Sequence, residues 1–159
     1  MNSTADTAWP DLAGRIVQGR HILPVRVYFE DTDFSGVVYH ASYLRFMERG
    51  RSDFMRLSGA DHAELFEGRD PVAFAVRRMT ISFERPARID DVVEVVTRVK
   101  EMRGASMILA QEIRRGDTLL VSADVQVALV TRDGRARRIP PELRRVLGES
   151  RGDVADNSP

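Results

Sequence analysis

The sequence predicts an α+β domain in which one long helix lies across a curved antiparallel sheet. Three observations carry that prediction. Helical periodicity holds over a long stretch from His40 to Leu57. The chain after it reads almost entirely as strands with period-two alternation. The last three strands are joined by Arg103-Gly104-Ala105 and Arg115-Gly116-Asp117, whereas a parallel return needs a crossover of a dozen residues or more. One helix against five strands buries its apolar side best by covering a single sheet.

Residues 1–20 mix polar, Gly and Pro positions without a period and are expected to be a flexible N-terminal segment, ahead of a single domain at 21–148. Leu23 to Glu30 alternates around Val25, Val27 and Phe29 and reads as a half-buried strand. The breaker-rich DTDFSG turn follows. In the helix, Leu44, Met47, Phe54 and Met55 share one side, and Arg45, Glu48, Arg49, Ser52 and Arg56 occupy much of the other. Ser58-Gly59 ends it, and Asp61 to Phe66 reads as one more short helical turn. Pro71 to Glu84 is a long strand through Val72, Phe74, Val76, Ile81 and Phe83, bulged at Arg77-Arg78. Asp91 to Met102 sets Val93, Val95, Thr97 and Val99 on one face. Ser106 to Arg114 and Thr118 to Thr131 complete the sheet, and Pro140-Pro141 introduces a short helix to Leu147. The polar stretch 149–159 reads as a disordered tail. Long sheet edges are commonly hidden by pairing with another copy, so a homo-oligomer is expected.

Composition excludes several functions. The 159 residues carry 24 basic and 24 acidic side chains and no cysteine. Disulfides, thiolate nucleophiles and cysteine-based metal sites are therefore absent, and a net charge of zero argues against non-specific nucleic-acid binding. Lys100 is the sole lysine; the other bases are arginines, whose planar fork suits phosphate and carboxylate. No stretch approaches the roughly 18 apolar residues of a membrane span. The first twenty residues lack the basic start and apolar run of a secretory signal, and a cytoplasmic protein is expected.

The chemistry concentrates between Glu30 and His40, where three carboxylates, a glycine turn and a histidine join a strand end to a helix start. Asp31, Asp33, Ser35 and Gly36 match the opening of a calcium loop. Its twelfth position should be a glutamate and is Ser42, so the match fails. A metal-dependent DxD phosphatase is a distant alternative, because Arg26 and Tyr28 interrupt the preceding strand and Asp90-Asp91 precede the only lysine. A better reading starts from geometry. A loop running into a helix N-terminus offers unpaired N–H donors for a developing oxyanion. A carboxylate about one turn away can act as nucleophile or general base on the same carbonyl. Asp33 and the N–H groups near His40 meet these terms. Glu48 lies a little over two helical turns beyond His40, and an ion pair with Arg45, Arg49 or Arg51 is its structural alternative. His21 and His62 are expected at the surface, Phe46, Met47, Phe54 and Met55 in the core, and Arg135, Arg137 and Arg138 in a solvated cluster.

The run Val25 to Asp33, followed by Gly36 to Leu44 and Glu48-Arg49, resembles the hotdog-fold acyl-CoA thioesterases of the 4-hydroxybenzoyl-CoA type, especially their Tol–Pal-associated branch. Arg78-Met79-Thr80, Pro86 to Asp91 and Met102 to Ser106 extend the resemblance over roughly His21 to Thr131. It implies a long central helix wrapped by an antiparallel sheet, pairing into a dimer or a dimer of dimers with active sites at the interface. It also implies hydrolysis of acyl-CoA to free acid and coenzyme A without metal or redox cofactor. Asp33 falls on the family's catalytic aspartate, and His40 supplies the polarising backbone N–H. Tyr39, Glu48, Arg88, Arg103 and Ser106 are the implied substrate contacts. The competing reading is an acyl- or partner-binding hotdog protein of the cell envelope without turnover. The chain departs from the family's pattern at Phe34-Ser35, where small residues are usual, and at Ser42, where Asn is common.

Overall fold

The computed structural model describes residues 12–59 and 67–149. Its elements run β1 (Arg15–Val17), β2 (Arg20–Arg26), α1 (His40–Leu57), β3 (Val72–Phe83), β4 (Val92–Met102), β5 (Ser106–Arg115), β6 (Thr118–Thr131) and α2 (Pro141–Glu149). The strands form one antiparallel sheet in the order β1-β2-β4-β5-β6-β3, with α1 laid across it in the hotdog arrangement.

The sheet has six strands rather than five. The extra one, β1, lies within the first twenty residues, where a flexible segment was expected. It pairs with β2 through a two-residue turn in which Gln18 and Gly19 both take positive φ, 51° and 73°, as a tight hairpin requires. The next strand also begins and ends earlier than the alternation implies. Beyond Arg26 the chain leaves the sheet and makes a single 3-10 turn at Phe29–Asp31, so Phe29 stands in solvent. The turn expected at 61–66, together with His62, and the tail from residue 150 lie outside the described residues.

Helix α1 buries Tyr43, Phe46, Met47, Gly50, Phe54 and Met55, the i, i+3, i+4 recurrence of a helix face. Leu44, expected on that face, is 39% exposed, and Phe46 takes its place in the core. Gly50 permits the close seating: a Cβ there would stand 2.7 Å from Cγ1 of Val95. Beneath it, β4 presents Val93, Val95, Thr97 and Val99, all buried as the alternation predicts. A bulge between Val76 and Arg78 shifts the alternation of β3 by one residue. Val72 and Phe74 on one side of it and Met79 and Ile81 on the other therefore all pack on the core.

Candidate active site

The two aspartates of the DTD sequence do different work. Asp31 is buried. Its Oδ2 accepts the Tyr28 N–H at 2.8 Å, and its carbonyl accepts both the Tyr39 N–H at 2.9 Å and the Ser42 hydroxyl at 3.0 Å. It thereby staples the 3-10 turn to the start of α1. Asp33 sits on the outer side of the loop. Its N–H donates to the Val37 carbonyl and its carbonyl accepts the Gly36 N–H, each at 3.0 Å. Gly36 closes this turn at φ 82°, a conformation costly for any residue with a Cβ.

The Asp33 carboxylate uses one oxygen, Oδ1, to accept both the Ser35 hydroxyl and, at 2.8 Å, the Ser35 N–H. The Ser35 hydroxyl, then its N–H, hold the carboxyl below its ordinary range, and the charge of His40 adds to the effect. Because Asp31 is turned inward onto Tyr28, the paired carboxylates needed by the phosphatase alternative do not converge.

His40 is the first residue of α1, where helix N–H groups have no partner within the helix. Its ring packs on Tyr39 at 4.5 Å and on Phe83 at 6.2 Å between centroids. A cavity of about 220 Å³ opens here, lined by Val38, His40, Tyr43, Phe83 and residues 84–86. Tyr43 anchors its floor. The phenol oxygen accepts the Ala87 N–H at 2.8 Å, and the Ala87 carbonyl accepts the Val38 N–H at 2.9 Å. Burial pushes the Tyr43 hydroxyl above its ordinary pKa, with the Ala87 hydrogen bond acting in the opposite direction.

A second cavity, of about 270 Å³, lies between α1 and the sheet, with Glu48, Arg51, Ser52 and Met55 facing Val72, Phe74 and Met107. Met55, expected in the core and buried there, also borders open space. Glu48 accepts a hydrogen bond from Ser52 at 2.9 Å. Arg51 donates at 3.0 Å to Oε1 of Gln111, a buried amide whose Nε2 donates to the Met47 carbonyl and to Thr97 Oγ1. Burial lowers the guanidinium from its ordinary pKa, opposed by Glu48.

The remaining sequence candidates divide by position. Arg88 pairs with Val37 through a backbone bridge, which sets it beside the Asp33 loop. Its N–H donates to Oδ2 of Asp91. Arg103 and Ser106 lie past the opposite end of β4, roughly 30 Å away at the ordinary strand rise, and Arg103 forks onto Glu101. One chain therefore gathers Asp33, Tyr39, His40 and Arg88 around the loop, sets Glu48 at the second cavity and leaves Arg103 and Ser106 at the far end of the sheet.

Sequence reasoning missed Ser35, although a serine two residues after an aspartate in a glycine turn is a recognisable signal. It also missed Tyr43 as an anchor, and Gln111, for which no local signal exists. His21, expected at the surface, is fully buried and paired with Asp53.

Comparison with known proteins bears directly on this loop–helix arrangement. A family model described as the thioesterase superfamily matches residues 35–122, more than half of the chain. The chain belongs to the thioesterase superfamily. The superfamily match begins two residues beyond Asp33 and takes in α1, β3, β4 and β5. Among curated relatives, the acyl-CoA thioester hydrolase YbgC of Escherichia coli O6:H1 is 47% identical over 108 residues, covering 67% of this chain and 79% of that protein. The crystal structure of a probable thioesterase from Bartonella henselae superposes with a TM-score of 0.74 at 46% identity, covering 76% of this chain and 99% of its own. A 4-hydroxybenzoyl-CoA thioesterase variant, crystallised with 4-hydroxybenzoyl-CoA, superposes at 0.76 with 22% identity over 80% of this chain and 98% of its own. At that identity the likeness is one of fold. Among the described residues of this superfamily member, no helix is long and apolar enough to cross a membrane.

Proposed function

We propose that the protein is an acyl-CoA thioesterase that hydrolyses the thioester of an acyl-coenzyme A to a free carboxylic acid and coenzyme A. The observation that carries this reading is the placement of the Asp33 carboxylate beside the N-terminus of α1, set by the Asp33–Val37 and Tyr39–Asp31 backbone bonds. In this reading the His40 N–H polarises the oxygen of a thioester carbonyl seated at that end of the helix. Asp33 then either attacks the carbonyl carbon or takes a proton from an attacking water. In the first route coenzyme A thiolate leaves an acyl–aspartyl anhydride that water cleaves. In the second, the tetrahedral intermediate expels the thiolate directly. Both routes consume one water and return Asp33 to its carboxylate form. Arg88, beside the loop, suits a phosphate of coenzyme A.

The reading includes a second copy of the chain. Strand β3 ends the sheet with a free edge, and its Val76 and Phe83 are 47% and 48% exposed. Two such edges paired antiparallel set the Val72 end of one copy against the Phe83 end of the other. The larger cavity, with Glu48, then borders the partner's Asp33 loop. Tyr39 flanks the same mouth. Arg103 and Ser106, distant from the loop of their own chain, join a site only through such an assembly. The Tol–Pal connection and envelope partners rest on the sequence resemblance, and co-purification tests them separately.

The deciding experiment is thiol release from a panel of acyl-CoA esters, with Asp33→Asn alongside. Steady release that collapses in the variant supports the thioesterase. Ester binding without release from a folded parent protein supports the non-catalytic acyl-binding alternative.

A further inference from the structure

Ser35 follows Asp33 by two residues in the DTDFSG turn, and its hydroxyl adds a second donor to Oδ1 of Asp33 beside the backbone N–H. The two bonds differ in origin. The N–H bond is that of an Asx-turn and forms with any residue at position 35. The hydroxyl bond belongs to serine or threonine alone. Without it, the N–H bond alone restrains a terminal torsion that is broad and two-fold, and the carboxylate plane swings about that single contact. With both donors on Oδ1, the carboxylate is held in one orientation. Among the described residues, Oδ2 has no hydrogen-bond partner.

We propose that Ser35 is a positioning residue for the hydrolysis, holding Oδ1 of Asp33 so that Oδ2 is the oxygen presented to the thioester or to the attacking water. The proposal rests on the thioesterase reading above. The side chain of Phe34 is fully exposed, which leaves Ser35 as the loop side chain that reaches the carboxylate. The other charged groups near Asp33 are His40 on α1, Asp31 in the preceding turn with its carboxylate on the Tyr28 N–H, and Arg88 across the Val37 bridge. None of these donates to Oδ1. Hydrogen bonds to the charged form of a carboxyl favour that form, so the Ser35 hydroxyl also keeps Asp33 ionised to lower pH.

The test compares the parent protein with Ser35→Ala, which removes only the hydroxyl, and Ser35→Thr, which restores it. Two readouts are taken: the pH dependence of kcat for an acyl-CoA ester, and the titration of the Asp33 carboxyl by carbon NMR, assigned by its loss in Asp33→Asn. In Ser35→Ala the acidic limb of kcat and the NMR titration should both move to higher pH, and kcat at neutral pH should fall several-fold. Ser35→Thr should retain the parent limb. Unchanged limb and titration in Ser35→Ala would overturn the proposal. A parent protein that releases no thiol but shows a Ser35-dependent titration would remove the thioesterase reading and leave the hold on Oδ1 standing.

Discussion

Nε2 of His21, on β2, lies 2.6 Å from Oδ2 of Asp53, on α1, with both side chains withdrawn from water. The same oxygen accepts the Gly14 N–H at 2.7 Å, so one carboxylate ties the start of the sheet to the last turns of the helix. Removing the carboxylate strands the Gly14 N–H and the buried imidazole, and an unsatisfied buried polar group costs about 1–3 kcal/mol. Asp53→Ala should lower the unfolding free energy by that order, read as a fall in the urea midpoint.

Asp33→Asn removes the candidate base or nucleophile while preserving the shape of the side chain. Turnover should fall by about 10²–10⁴-fold, the ordinary worth of a positioned proton acceptor. Binding of a non-hydrolysable acyl-CoA analogue, measured by calorimetry, should stay within a few-fold of the parent.

Tyr43→Phe strips the acceptor from the buried Ala87 N–H. An unsatisfied buried donor costs about 1–3 kcal/mol. Ala87 also holds Val38 through its carbonyl, so the loss should loosen the Asp33–His40 loop. We expect a lower melting temperature together with a drop in kcat that exceeds any rise in KM.

Gly50→Ala places a methyl 2.7 Å from Cγ1 of Val95. Overpacking of this kind costs about 1–3 kcal/mol. Val95→Ala should relieve part of that cost in the double variant, and a thermodynamic cycle from chemical denaturation measures the coupling.

Acid should weaken the fold through carboxyls whose folded pKa lies below the unfolded one. For Asp91, burial acts upward but is outweighed by the Arg88 N–H and the Arg115 guanidinium. Such a group contributes its full stabilisation above the unfolded pKa of about 4. The contribution is lost as pH falls through the lower folded value. The melting temperature should therefore hold between about pH 5 and 7 and decline below about 4, with a shallower decline in Asp91→Asn.

Local pattern was enough for elements whose partners are near in sequence. The 3.6 period and the Ser58-Gly59 stop give α1 its bounds at His40 and Leu57, and alternation gives β6 from Thr118 to Thr131. It failed where a distant residue decides. Val25, Val27 and Phe29 alternate without a break, yet Asp31 caps the Tyr28 N–H and turns the chain out of the sheet. His21 looks like a lone polar residue until Asp53, 32 positions later, arrives beside it. At the candidate site, the motif placed Asp33 and His40 on one loop–helix junction. It carried no information on Gln111, whose partners Met47 and Arg51 stand 64 and 60 positions away in the sequence.

The bulge in β3 makes Arg77 a spacer between two half-strands. Deleting that residue would restore strict alternation without moving a cross-strand pair, since Val76 opposite Val127 and Arg78 opposite Gln126 are already consecutive rungs of the ladder. Met79 and Ile81 would go on facing the core with Val72 and Phe74, now in one unbroken alternation. One missing codon would thus straighten the strand and spare both pockets, the one beside His40 and the one beside Arg51.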